Sequence, residues 1–278
     1  MERIQFYLTV PEGKWFIAHG IAQMPQVRAA LEYGKVMFKG GTTVSAVSEL
    51  LAGHPLRISG RLTSRGSVAA KKTNDSPHGI LYEKGNIQNV DSCFHTALLE
   101  FSPDDVMIIG ANIIDAQGGA AMLAGRAFGG DFGMPVSAAS IAGFHVIVAA
   151  GLEKLIPGSV WDSIRLARLN GVDRSRGMAC GLFPVIGTVV TELTAVRLIS
   201  DVQVQLIGRG GVHGAEGGSL LQAWGTSEEI HRLEDVLNQC YNKPLSGDPQ
   251  SMTECSYPSE GCGKHLSCSY KAASKKEV

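Results

Sequence analysis

The chain has 278 residues, 44% hydrophobic and 18% charged, with a formal net charge of -1, which is enough apolar material for an ordinary core in one large domain or two small ones. So even a balance supplies no field to collect nucleic acid or an anionic membrane surface, because phosphate binding of that kind needs clustered Lys and Arg in excess. The longest apolar run, Val136 to Leu152, is interrupted by Ser137, Ser140 and His145 and falls short of the ~18 residues of a spanning helix, so neither nucleic acid nor a membrane is an expected partner.

At the amino terminus Ile4, Phe6, Leu8 and Val10 alternate as a strand and lack the sections of a secretory signal, so a cytoplasmic protein with reduced thiols is expected. Glu12 to Tyr33 has a helical pattern, broken at Pro25 and stopped by Gly34. Lys35 to Lys39 is then a buried strand, running through Gly40-Gly41-Thr42-Thr43 into a helix that ends at Gly53. Pro55 to Ser59 is a second strand, the section from Gly60 to Gly85 has no clear assignment, and Asp91 to Glu100 is helical. The strand at Val106-Met107-Ile108-Ile109 ends in Gly110-Ala111-Asn112, with Asp115 and Gly118-Gly119 just beyond. His145 to Ala149 is another strand, and Ser159 caps a helix stopping at Gly171. Strands alternating with helices in this way predict a parallel sheet covered on both faces.

After Asn170 the order becomes β-α-β-β-α: Leu182 to Val190, Thr191 to Ser200, Val202 to Ile207, Ser219 to Trp224 and Ser227 to Cys240. The expected fold is therefore α/β. A parallel-sheet, three-layer Rossmann-like domain occupies residues 1-170, a small ferredoxin-like α+β domain 171-245, and a flexible, polar, Cys-containing tail 246-278. In that tail Cys255, Cys262, His265 and Cys268 could offer three thiolates and an imidazole to zinc, but the short Cys-x2-Cys knuckle is missing and a polar tail with incidental cysteines is the favoured reading. No other cofactor is evident, and a homo-oligomer is left open.

Glycine-rich turns at the carboxyl ends of parallel strands make a ligand crevice. At Gly40, Gly41, Thr42 and Thr43 the missing side chains and the free N-H groups of the following helix suit a phosphate or carboxylate, unless the threonines are ordinary caps. Lys39, Arg61, Ser64 and Arg65 would add charge-assisted contacts or form an exposed basic loop. Gly110, Gly118 and Gly119 would line the second turn, where Asn112 and Asp115 either handle a proton and a hydroxyl or satisfy turn amides. Glu216 pairs with His213 on a glycine-dense hairpin link, and His145 reads as a packed core histidine.

The strand-Gly-Gly-Thr-Thr-helix unit, followed by Asp105 to Asp115 and Gly118-Gly119, resembles the superfamily of ribose-5-phosphate isomerase, glucosamine-phosphate deaminase and coenzyme A transferase. His145 to Pro157 is similar to its lactate-utilisation and methylthioribose-phosphate isomerase branches. The resemblance implies a sugar phosphate or related anion at the first turn and an isomerase or transferase activity. Its catalytic motifs do not carry over: Asn112 stands where the isomerase has an aspartate, and Gly119 to Gly130 contains no carboxylate. The implied function is an enzyme acting on a small phosphorylated or carboxylated metabolite, with Asp115, Asn112 and Glu216 nearest the chemistry. A non-catalytic metabolite-binding protein of the same fold is the alternative.

Overall fold

The computed structural model describes residues 1–69 and 76–253. Strand β1 (Glu2–Leu8) leads through Thr9 into α1 (Val10–Ile21), where a reciprocal capping box fixes the turn: Thr9 Oγ1 accepts the Glu12 N–H and Glu12 Oε2 accepts the Thr9 N–H at 2.9 Å. A separate helix α2 (Pro25–Tyr33) starts on the proline that breaks the pattern. The chain continues through β2 (Lys35–Lys39), α3 (Thr42–Ala52), β3 (Gly60–Thr63), β4 (Gly66–Ala69), β5 (Gly79–Glu83), β6 (Asn86–Asn89), α4 (Phe94–Leu99), β7 (Val106–Gly110), β8 (Ile113–Ile114) and β9 (Ala120–Ala124). It ends with α5 (Gly133–Ala142), β10 (His145–Ala149), α6 (Val160–Leu166), β11 (Gly181–Pro184), β12 (Thr188–Val190), α7 (Glu192–Ile199), β13 (Gln203–Gly210), β14 (Gly218–Gly225) and α8 (Ser227–Cys240).

The protein is a mixed α/β structure. Its central sheet has the order β12-β10-β7-β2-β5-β6, with the first four strands parallel and the β5–β6 hairpin added antiparallel to β2. Side chains alternate across it with the period of two that a strand imposes. Val36, Phe38, Val106, Ile108, Ile147 and Ala149 join the cluster built on α1, α2, α3 and α7, whereas Met37, Met107, Ile109, Val146 and Val148 join Phe94, Phe144 and Val136 on the other face. Near-continuous apolar strands are what a sheet buried on both faces requires.

The segment after residue 170 assembles differently from the ferredoxin-like series. The expected strand Leu182 to Val190 divides at Gly187: β11 pairs with β9, and β12 extends the central sheet beside β10. A Cβ at Gly187 would stand 2.5 Å from the Val146 carbonyl oxygen, so the chain crosses between sheets at a place where only glycine fits. The β13–β14 hairpin instead takes β1 as its third strand, Glu2 opposite Gly225 through Leu8 opposite Ser219. Leu221, Ala223, Ile230 and Leu233 share one apolar cluster with Phe16, Phe38 and Val190, so packing is continuous across residue 170. The expected strand at Pro55 to Ser59 carries no ladder, and His145, expected in the core, is exposed at the amino end of β10.

Almost every residue of α1 is buried, because the helix lies against α3, α7, α8 and β14 together. Two glycines set its approach to α7. A Cβ at Gly20 would lie 2.6 Å from the Ala195 Cβ and 2.7 Å from its Cα, and one at Gly13 would lie 2.7 Å from Glu192 Oε1. Alanine is the better helix former by roughly 1 kcal/mol, but forcing a methyl against backbone costs about 1–3 kcal/mol. Gly20→Ala is therefore expected to lower stability in a chemical-denaturation curve, and an unchanged or raised midpoint would contradict this close approach.

Candidate active site

The four parallel strands all end at one edge of the central sheet, at Lys39, Gly110, Ala149 and Val190, and such an edge is where open α/β sheets bind ligands. The two glycines after β2 do different work. A Cβ at Gly40 would collide with the His78 ring, so that glycine serves packing. Gly41 has φ 133°, which favours glycine, and the place of its missing Cβ has no atom within 4 Å. Helix α3 starts beside this open space with no side-chain cap, leaving its first N–H groups and its positive end available to an anion.

Around this turn the fold gathers four charged side chains that are largely out of water. Lys14, on the second turn of α1, donates from Nζ to Thr42 Oγ1 at 2.8 Å and lies 3.9 Å from Glu153 Oε1. Lys154 Nζ is 3.9 Å from the same oxygen. Glu153 Oε1 is buried without a hydrogen-bond partner, as is Thr43 Oγ1 in the first turn of α3. Glu192, the first residue of α7, accepts the Leu152 N–H on Oε2 at 2.8 Å. The place of a Cβ at Gly151 lies 3.0 Å from Glu192 Oε1 and closer still to Glu153 Oε2, so a side chain there would enter the space between the two carboxylates.

Burial and neighbouring charge shift Lys14, Lys154 and Glu192 toward mid-range pH. Desolvation, then the Lys154 cation, brings the Lys14 amine down to about 8. Lys154 is lowered by burial against the opposing pull of Glu153 and Glu192. Burial, then the charge of Glu153, pushes Glu192 up to about 7, with Arg209 on β13 favouring its anion. A carboxyl and an amine that are both shifted toward neutrality, beside an open turn with an uncapped helix start, have the character of an acid–base site.

The residues singled out from the sequence divide between this site and scaffolding. Gly40, Gly41, Thr42 and Thr43 stand where expected, at the carboxyl edge, and Gly110 closes β7 at a place where an added Cβ would meet Val44 only at ordinary van der Waals distance. Asp115 belongs to the turn: Oδ1 accepts the N–H groups of Gln117 at 3.0 Å and Gly119 at 2.8 Å, and Oδ2 accepts that of Val160 at 2.8 Å. These bonds, led by that of Val160, hold its carboxyl below the usual range, which suits a staple and not a general base. Gly118 takes the left-handed turn, and Gly119 packs against the Asp115 carboxylate. Asn112 Oδ1 accepts the Leu123 N–H at 2.9 Å, tying β9 to the end of β7. Glu216 is exposed on the β13–β14 link and accepts the Gly214 N–H.

Arg61 is committed to the carbonyls of Ser251 and Thr253, and Arg65 sits in the β3–β4 turn with its backbone N–H on Thr63 Oγ1. Cys255, Cys262, His265 and Cys268 lie outside the described residues. Among the described residues no group of three His, Cys, Asp or Glu is placed to hold a metal, and no helix is long and apolar enough to cross a membrane.

Lys39 shares the Met37 face of β2, and its ammonium stands 4.8 Å from the Phe132 ring centroid, with burial bringing the amine down to about 8. Beside it His78 is pushed down to about 3 by burial and by the Lys39 charge. Its Nδ1 lies 2.8 Å from the Arg57 carbonyl, which can only accept, so the neutral ring carries its proton on that nitrogen. Lys39, expected to help hold the anion, is thus enclosed beneath an aromatic ring.

Lys14, Lys154 and Glu192 were not visible as site residues in the sequence. The one local signal was a lysine inside a helix whose neighbours Trp15, Phe16, Ile17 and Ala18 are all apolar, a buried cation needing a partner. Comparison with known proteins adds no assignment: no family model matches the chain, and neither the curated proteins nor the solved structures contain a significant match.

Two outcomes follow for stability. Asp115→Ala removes the acceptor of the buried Val160 N–H and should cost about 1–3 kcal/mol. Because the folded-state pKa of Asp115 is lowered, its contribution is present above the ordinary carboxylate range and fades as pH falls through its folded value, so the gap between wild type and variant narrows in acid melts. Glu192 has the opposite sign. The folded chain holds a proton that the unfolded one releases between the ordinary 4.5 and about 7, so stability declines as pH rises through that window. Glu192→Gln should remove the decline and be the more stable protein at pH 8, by up to about 3 kcal/mol. A variant no more stable than wild type at pH 8 would contradict the burial of that charge.

Proposed function

We propose that this protein is an enzyme acting on a small phosphorylated or carboxylated metabolite, with isomerase-like proton transfer ahead of transferase chemistry. The anion rests on the first N–H groups of α3, approached through the open side of Gly41, with Thr42 and Lys14 completing its contacts. Glu192 moves the proton. The observation that carries this reading is the assembly of Lys14, Glu153, Lys154 and Glu192, drawn from α1, the loop after β10 and the start of α7, at the sheet edge where Gly41 leaves space.

Isomerisation through an enediol needs one group to take a proton from carbon and return it to the neighbouring carbon. A carboxyl titrating near 7 is populated in both forms at neutral pH, and the adjacent cations suit the oxyanion that develops. This placement keeps the resemblance to the ribose-5-phosphate isomerase-like superfamily as the guide to substrate class. It assigns the acid–base role to Glu192 in place of Asp115, Asn112 and Glu216.

Thermal melts with inorganic phosphate and a panel of sugar phosphates, together with turnover assays, test the reading. Phosphate should raise the melting temperature. Lys14→Met should weaken its binding about tenfold or more, as expected for loss of one charge-assisted contact of ~1.5–3 kcal/mol. Glu192→Gln should retain binding and lose about 10²–10⁴ in kcat. Phosphate binding that ignores Lys14→Met would remove the site, and binding with no conversion of any panel member would favour a non-catalytic metabolite-binding protein.

A further inference from the structure

Lys14 is placed to do more than attract an anion. We propose that its amine condenses with the carbonyl group of a small 2-oxo acid or aldehyde phosphate to form an imine, so that the site works by covalent catalysis. This inference rests on the site described under the proposed function and names the substrate class that the site would take.

The geometry supplies each requirement. An amine nucleophile must be oriented, and Lys14 Nζ is fixed at 2.8 Å from Thr42 Oγ1, one residue from the open side of Gly41. It must also be free of a tight carboxylate partner. Lys14 and Lys154 share a single carboxylate oxygen, Glu153 Oε1, at 3.9 Å each, beyond hydrogen-bond reach, and that oxygen has no other partner. A lysine out of water beside a second cation is a recognised means of obtaining free amine at neutral pH, and here desolvation and Lys154 both act in that direction. A ligand whose carboxylate or phosphate lies on the α3 amides would bring an adjacent carbonyl carbon to the Lys14 amine, which is held on Thr42 of the same turn.

The step balances with groups already present. The Nζ lone pair attacks the carbonyl carbon, the C=O π pair passes to oxygen, and a proton moves from nitrogen to oxygen to give a carbinolamine. Glu192, as the neutral acid, protonates that hydroxyl, which leaves as water while the nitrogen lone pair forms C=N. Its carboxylate is then the base for the carbon next to the imine. No oxidant or reductant is needed. The charged groups bearing on Lys14 are Glu153 and Lys154 from the loop after β10 and Glu192 from α7, and Arg209 on β13 acts on Glu192 in turn.

The test is reductive trapping on the full chain, with sodium borohydride and, separately, pyruvate, glyoxylate and glyceraldehyde 3-phosphate, followed by peptide mass mapping. The wild-type Lys14 peptide should carry the reduced adduct and Lys14→Arg should lose it. Trapping should increase through a midpoint near pH 8, and in Lys154→Gln the midpoint should move to higher pH because a neighbouring cation is gone. No adduct with any of the three compounds overturns the proposal, as do adducts on the exposed Lys84 and Lys243 as heavy as that on Lys14. The wild-type map is decisive even if a variant fails to fold. Stabilisation by phosphate without trapping would leave the anion site standing and remove the imine, whereas absence of both would remove the reading of the site as well.

Discussion

The close crossing of α1 and α7, permitted by Gly13 and Gly20, is the constraint on which the site depends. With no side chain at Gly20, α1 approaches until Ala195 fills the gap, and with none at Gly13, the Glu192 carboxylate folds over the helix surface. That approach encloses α1, and the enclosure forces Glu12 and Lys14 out of water. Glu12 is satisfied at once: its two oxygens take the N–H groups of Thr9 and Asn242 and the Thr9 hydroxyl. Lys14 has one hydroxyl and a share of one distant carboxylate. Two buried charges on the same helix thus differ, Glu12 fully bonded within the fold and Lys14 only partly so.

The electrostatic arrangement is costly in the way functional sites are. Two ammonium groups flank one carboxylate oxygen, and a second carboxyl nearby is driven toward its neutral form. A purely structural network would close its hydrogen bonds, since a half-satisfied buried network is less stable than an apolar one. Asp115 shows the contrast within the same protein, with three amides on one carboxylate and nothing left over. Asp91 is similar, holding Arg57 at 2.7 Å together with the N–H groups of His78 and Gly79. Unfinished bonding around Glu153 and Lys14 therefore marks the site more sharply than any spacing of residues along the chain.

Local rules served well wherever one signal decided the outcome. Pro25 starts a new helix, Ser159 caps its own, and the apolar runs at Val36, Val106 and Val146 are central strands. They failed where pairing partners are distant. The run from Leu182 to Val190 reads as one strand because nothing local shows that Gly187 must pass beneath the Val146 carbonyl. The hairpin after Val202 cannot announce that its third strand comes from the amino terminus. His145 lies in an apolar run, yet it falls at the strand's exposed beginning.

By itself the sequence determined the class, an alternation of strands and helices with buried parallel strands, and the position of the Gly-Gly-Thr-Thr turn at a strand end, because glycines and a helix start are local features of the backbone. Only the tertiary structure decided which side chains face that turn. Asp115 and Asn112 stand close in sequence to a strand end and are spent on backbone amides, while Lys14, Glu153, Lys154 and Glu192 come from three distant segments. The physical reason is that a charge becomes chemically useful through desolvation and unmet hydrogen bonding. Both are properties of what packs around a residue and not of what precedes or follows it.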